Sequence, residues 1–407
     1  MDVHSQSEAL VAPDVASGLR PPLRVIRGWV RRKLQSLADS VQFIEEFADL
    51  SDLNAESNFG TGTTQVRITN PAVYQKIALG GLNGAVAGYA EAMWHTENLI
   101  QLIEELVRKP EVLRSIDAGL HRLTNPVSRV AVNLIPGIGR DSGANGRISF
   151  GAMARYVSQL IEAGADDALS LTALRTFCES ARSLGLLRLR NFDHVLVTNA
   201  VASASSLKMA ADFGATVTAL VSSPEHQLRM REQIQARQLE KLVVPRFGSM
   251  ARIKSKYSRV FTQQLATNNT EKFWQEYLVQ LNRILTDDGL AVIETICQSI
   301  PSTHSRIGEL NGLGQVIEGE FEPPTIGELV SMLVDEHKFQ VMFMEDFTEN
   351  LVNAAVDTRR LISINGPARI PNPPTSIEFR SWDLGIASAI AHARTDRLRA
   401  VRFVLKR

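Results

Sequence analysis

The sequence predicts an α/β chain built on a parallel sheet, and three observations carry that expectation. Val195-Leu196-Val197 is a short apolar run with two β-branched residues, the signature of a strand buried on both faces. Leu207, Met209, Ala210 and Phe213 then recur at helical spacing and stop at Gly214, before a second strand over Thr216 to Val221. Further apolar runs follow: Leu242-Val243-Val244, Tyr257 to Thr262, Leu290 to Ile296, Phe339 to Phe343 and Arg399 to Lys406. A β-α-β unit of this kind presents a helix N-terminus to a ligand at the carboxyl end of its sheet.

Composition limits the function classes. Lysine plus arginine equal aspartate plus glutamate at 44 each, so the chain as a whole carries no commitment to nucleic acid. A hydrophobic share of 44% suits a globular protein, and no apolar run nears the roughly 20 residues that span a bilayer. Cys178 and Cys297 form neither a metal spacing nor a disulfide framework, and the eight histidines are scattered, so no metal is expected. The start of the chain has no hydrophobic segment behind its charges, and a reducing, cytoplasmic location is the plain expectation.

In chain order, residues 1–22 are polar, end in Pro21-Pro22 and read as a disordered tail. Leu23 to Leu37 alternates Arg24, Arg27, Arg31, Arg32 and Lys33 with Val25, Ile26, Trp29, Val30 and Leu34. Such a helix either lies on an anionic membrane surface or packs one side on its own domain. Val66 to Ile68 reads as a strand. The glycines from Gly80 to Gly84 read as a packing turn in preference to a phosphate loop, and Leu99, Leu102, Ile103 and Leu106 mark a helix. Pro136, Gly137, Gly139, Gly143 and Gly146 mark a linker at 131–150. Helices are expected from Ile148 to Phe192, with Cys178 as a buried structural thiol, and a charged helix over Leu228 to Gln238.

Two stretches resemble the cyclopropane-fatty-acid synthase and mycolic-acid methyltransferase family. In the first, Val195-Leu196 stands in the family's V-L-D-I-G-C-G-W-G-G strand and turn, Phe213-Gly214-Ala215 at its helix exit, and Ser223-Pro224-Glu225 after its second strand. In the second, Asn58-Phe59-Gly60 through Tyr89-Ala90-Glu91-Ala92-Met93-Trp94 is similar to the family's small lipid-associated domain. The frame returns at Phe273-Trp274 to Tyr277, Asp287-Asp288-Gly289, Trp382 and the closing strand. The resemblance implies a class I S-adenosylmethionine-dependent methyltransferase sandwich (Rossmann-like) over residues 151–407. A small α+β lipid-associated domain over 23–130 would precede it.

It also implies a site, and at that site the residues differ. Val197 stands for the family's acid, and Asn199, Val201, Ser203 and Ala204 for its four glycines. A Cβ at such positions removes the left-handed freedom and the close backbone approach that the glycines supply. Ser249 stands for the aspartate near the adenine, Thr267 and Asn268 for a glutamate-histidine pair, and Asn350 is nearest to a tyrosine. The family's H-Y-D-x-G-N and Y-S-C segments, the second of which supplies a bicarbonate ligand, have no counterpart. No catalytic residue is assigned. Thr198, Asn199, Val201, Ser203 and Ser223 remain as a vestigial cofactor set, with S-adenosylmethionine bound weakly or not at all.

Two functions follow from the resemblance. One is a non-catalytic relative that acts in acyl-lipid modification as the partner subunit of an active paralogue or as a homo-oligomer. Its other partner would be a phospholipid surface, which it meets peripherally on the inner face of the membrane. The alternative is an active methyltransferase or cyclopropane synthase on unsaturated phospholipid acyl chains, with a rebuilt site.

Overall fold

A computed structural model describes residues 21–47, 58–117, 182–198, 204–221, 223–264, 270–299, 323–365 and 376–407. The expected linker at 131–150, the thiol of Cys178 and residues 1–20 of the expected tail lie outside this set. The tail's boundary shifts by two residues, because helix α1 runs Pro21–Leu34 and begins on the proline pair. Proline fits a first helical turn, where its missing N–H has no intrahelical partner.

Two sheets organise the chain. The smaller contains β1 (Val41–Glu45), β2 (Asn58–Phe59), β3 (Thr64–Ile68) and β4 (Trp94–His95) in the order β2-β1-β3-β4. Helices α2 (Ala72–Gly80) and α3 (Leu82–Ala90) follow β3, and the glycine cluster is their junction. Gly81 sits there at φ 58°, and a Cβ on Gly84 would lie 1.8 Å from the Lys76 carbonyl oxygen, so α2 and α3 meet backbone to backbone. Helix α4 (Leu99–Arg108) buries Leu99, Leu102, Ile103 and Val107 along one stripe, and α5 (Pro110–Asp117) completes the block.

The larger sheet contains β5 (His194–Thr198), β6 (Thr216–Val221), β7 (Val243–Phe247), β8 (Tyr257–Gln264), β9 (Leu285–Gln298), β10 (Gln340–Asp346) and β11 (Leu398–Lys406). Its order is β10-β11-β9-β8-β5-β6-β7. Strands β7, β6, β5, β8 and β9 pair in parallel, and β11 lies antiparallel between β9 and β10. Helix α6 (Ala204–Phe213) connects β5 to β6, and α7 (Pro224–Ala236) connects β6 to β7. Helix α8 (Glu271–Ile284) precedes β9, with Thr270 as its cap; the Thr270 hydroxyl accepts from the Phe273 N–H at 3.2 Å. Helix α9 (Ile326–Ser331) opens with a capping box between Thr325 and Glu328.

Helices α10 (Thr348–Asn365) and α11 (Ser376–Arg394) lie between β10 and β11 in the chain, and they carry the small-sheet block. Tyr89, Leu99, Ile103 and Val107 share one apolar cluster with Trp382, Ile386, Ala387 and Ile390. Polar contacts lock this seam. The Tyr89 hydroxyl donates to Asp383 at 2.7 Å, Arg359 pairs with Asp383, and the Arg380 guanidinium lies 4.1 Å from the Tyr89 ring centroid.

Of the two readings of the basic N-terminal stretch, the structure shows the helix packed on its own domain. Arg27 does not face solvent: its guanidinium is buried and paired with Glu45 on β1, which also accepts from the Tyr74 hydroxyl. The helix turns Val30 and Leu34 inward on the same side, so a cation at position 27 lands in the core and needs a carboxylate there. Arg31 and Lys33 are half-buried, which leaves Arg24 and Arg32 as the exposed cations of α1.

Candidate functional site at the carboxyl end of the parallel sheet

The carboxyl ends of β5, β6 and β8 meet in the middle of the large sheet, where α/β folds bind ligands. Thr198 closes β5 and is buried. Its hydroxyl donates to Thr262 on β8 at 2.8 Å, and Thr262 shares a short hydrogen bond with the Tyr277 hydroxyl from α8. Phe273 stacks on Tyr277 at 5.7 Å, and Trp274 meets it edge-on at 5.4 Å. Burial pushes Tyr277 up to about 12, against the pull of its threonine partners. The phenol is therefore neutral near pH 7 and fixes the two strand ends as a hydroxyl chain.

Ser223, beyond β6, serves α7: its hydroxyl oxygen accepts from the His226 N–H at 3.1 Å. Asn199, Val201 and Ser203 lie outside the described residues, as do Thr267 and Asn268. Ala204 is the first residue of α6. Ser206, in the first turn of that helix, is fully buried, and its hydroxyl has no hydrogen-bond partner among the described residues.

Sheet order separates two residues that the resemblance assigns to one site. Ser249 follows β7 and Asn350 follows β10, and these are the opposite edge strands. Six strand spacings of about 4.8 Å put roughly 29 Å between the two edges. Both residues are exposed.

The described residues fit S-adenosylmethionine poorly. That molecule carries an ammonium and a sulfonium, for which carboxylates are the strong partners. Val197 and Thr198 close β5, Val221 closes β6, and among the described residues neither strand ends on a carboxylate. The first acid beyond β6 is the exposed Glu225 in α7. The hydroxyls of Thr198 and Ser223 are already engaged. Cys297, buried on β9, is held in its thiol form, with burial raising it to about 12.

Cavities among the described residues lie elsewhere, and two of them bear on the small-sheet block. One, of about 80 Å³, sits inside the small-sheet block among Leu37, Phe43, Val66, Tyr74, Trp94 and Leu102, and its walls are apolar. The other, of about 420 Å³, opens on the seam with α10 and α11 beside Glu97, Glu104, Arg108, Arg359 and Arg394. Sequence reasoning gave no notice of this seam, because its partners are separated by some 290 residues, as Tyr89 and Asp383 are.

Strand order and direction define the class: the large sheet has the fold of the class I S-adenosylmethionine-dependent methyltransferases. A structure from Galdieria sulphuraria, provisionally described as a sarcosine dimethylglycine methyltransferase, is similar at 16% identity over 62% of this chain and 97% of that one, with a TM-score of 0.50. The cyclopropane synthase MmaA2 from Mycobacterium tuberculosis aligns at 13% identity, covering 57% and 84%, with a TM-score of 0.47. Coclaurine N-methyltransferase bound to N-methylheliamine and S-adenosylhomocysteine aligns at 14%, covering 57% and 70%, with a TM-score of 0.49. No family model and no curated protein matches the chain.

Proposed function

We propose that this protein is a non-catalytic relative of the acyl-chain-modifying methyltransferases and works at a phospholipid surface as the partner of an active enzyme. One observation carries the reading. The end of β5, where a cofactor's cationic groups need an acid, carries Val197 and a threonine tied into the Thr198–Thr262–Tyr277 chain, while the sheet around it is fully built.

Calorimetry with S-adenosylmethionine on the purified protein tests this directly. The expected result is no saturable heat, and a low-micromolar dissociation constant overturns it. Deletion of the protein in its host, with acyl-chain analysis and pull-down of the partner enzyme, tests the second half. Altered lipids that depend on both proteins support it, and acyl modification by the purified protein alone refutes it.

The active reading, a methyltransferase or cyclopropane synthase on unsaturated phospholipid chains, has one observation in its favour. The Ser206 hydroxyl, which has no hydrogen-bond partner among the described residues, stands in the first turn of α6.

A further inference from the structure

The opposite end of the large sheet carries a row of exposed cations. Because β8, β5, β6 and β7 are adjacent and parallel, the segments that lead into them lie side by side at their amino ends. Arg188 and Arg190 lead into β5, Arg237 and Lys241 into β7, and Lys254 and Lys256 into β8; all six are exposed. Some cations elsewhere are neutralised, as Arg67 and Arg359 are by carboxylates within 4 Å, whereas Arg229, Arg231, Arg246 and Arg252 are exposed as well. Arg188, Arg190, Arg237, Lys241 and Lys254 make no ion pair among the described residues, and Lys256 donates to the carbonyl of Leu285.

The nearby acids do not cancel this charge. Asp193 is turned inward to Ser258 at 2.7 Å and Arg259 at 3.8 Å, and Asp212 is paired with Lys208. Glu240 is exposed among the cations, while Asp287 and Asp288 belong to the start of β9, beyond β8. In the middle of the strip stands Phe192, 86% exposed, the most exposed large apolar side chain described. Its backbone is left-handed at φ 71°, a conformation a bulky residue rarely adopts. A closed turn holds it there: the Arg190 N–H donates to Asp193 Oδ2 at 2.7 Å, and the Asp193 N–H to the Arg190 carbonyl at 3.1 Å.

We infer that this face is the surface by which the protein docks on an anionic phospholipid bilayer, with Phe192 as its interfacial anchor. The bilayer gives both halves of the patch a use: lipid phosphates for unpaired cations, and the headgroup–acyl boundary for one projecting ring. A nucleic acid would use the cations, but a lone ring is a poor platform for successive bases. The inference rests on the phospholipid-surface part of the proposed function. It moves the contact away from α1, where burial of Arg27 leaves two exposed cations.

Co-sedimentation of the full chain with vesicles of phosphatidylglycerol and phosphatidylcholine, beside vesicles of phosphatidylcholine alone, provides the test. Binding is expected to the anionic vesicles only and to weaken with salt. The triple variant Arg188→Ala, Arg190→Ala, Lys254→Ala should bind roughly a hundredfold more weakly. Phe192→Gly should bind about tenfold more weakly, while its unfolding midpoint holds or rises, since glycine relieves the left-handed strain. That opposition separates an anchor from a structural residue. Wild-type vesicle affinity in both variants, with loss only in Arg24→Ala, Arg32→Ala, overturns the site and leaves the lipid-surface reading standing. Absence of vesicle binding overturns both while leaving the calorimetric test of the cofactor untouched. Binding to RNA or heparin without vesicle binding makes the face a polyanion site and refutes the inference.

Discussion

Arg402 and Glu294 face each other in register across β11 and β9, both buried, with the guanidinium donating from Nε at 3.0 Å and Nη2 at 2.9 Å to one carboxylate oxygen. On its other side Arg402 reaches Glu345 of β10 at 2.7 Å, again its register partner. Ser183 donates to the same Glu294 oxygen, and the Arg402 guanidinium lies 4.7 Å from the Phe347 ring centroid. Three strands are thus fastened at one level by a single arginine. Hydrogen bonds from Arg182, joined by Arg402, hold the Glu345 carboxyl below the usual carboxylate range.

Arg402→Ala should lower unfolding stability by about 3–5 kcal/mol, because it leaves Glu294 buried without its cation. The double variant Arg402→Leu, Glu294→Leu should recover much of the loss. Urea unfolding of the two variants measures both, and equal losses would refute the pairing argument.

Tyr74→Phe should cost about 1–2 kcal/mol, since it removes one donor to Glu45 and leaves Arg27 in place. Arg27→Ala should cost more, by the same logic as Arg402. Its effect belongs in the unfolding curve, and vesicle affinity in the folded protein should be unchanged.

His392 gives the stability curve an acid limb. The imidazole is buried in α11, and burial lowers it from its ordinary 6.5 to about 4. The unfolded chain therefore takes up a proton that the folded chain refuses. Stability from this group is complete above about pH 6.5 and falls as pH drops through 6.5 towards 4, by about 3 kcal/mol in all. His392→Gln should remove that part of the slope between pH 7.5 and 4, as denaturant titrations at stepped pH would show.

Asp383→Ala removes the acceptor shared by Tyr89 and Arg359. Loosening of the seam should appear as faster proteolysis between the small-sheet block and α11, with a loss of about 1–3 kcal/mol. An unchanged digestion pattern would mean that the apolar cluster alone holds the two together.

The large sheet was largely legible in the sequence, because buried strands advertise themselves. Val195–Val197 is apolar on both faces, Ala400–Leu405 is so but for Arg402, and both are strands. The boundaries were less so. β9 extends from Leu285, five residues before its apolar run, and the edge strand β10 runs on to Asp346 with Met342 and Met344 exposed. The β9 extension has one buried apolar side chain, Leu285, followed by the polar Thr286, Asp287 and Asp288, and the β10 extension has none, so neither leaves a pattern. The buried pairs Arg27–Glu45 and Arg402–Glu294 were illegible for another reason: a charge in an amphipathic repeat looks solvated until its partner strand is known. At the site, the residue types at the ends of β5 and β6 were readable, but the engagement of Thr198 by Thr262 and Tyr277 was not.

The position of β11 has a consequence for how the chain acquires its shape during synthesis. β11 intervenes between β9 and β10, yet it leaves the ribosome after both, behind two helices. Until it arrives, β10 has no strand to hydrogen-bond with, and its apolar Met342, Phe343 and Met344 wait beside an open slot. The nascent chain therefore passes through an interval in which an unpaired edge is on offer to any neighbour, the condition under which chaperones are recruited and misassembly begins.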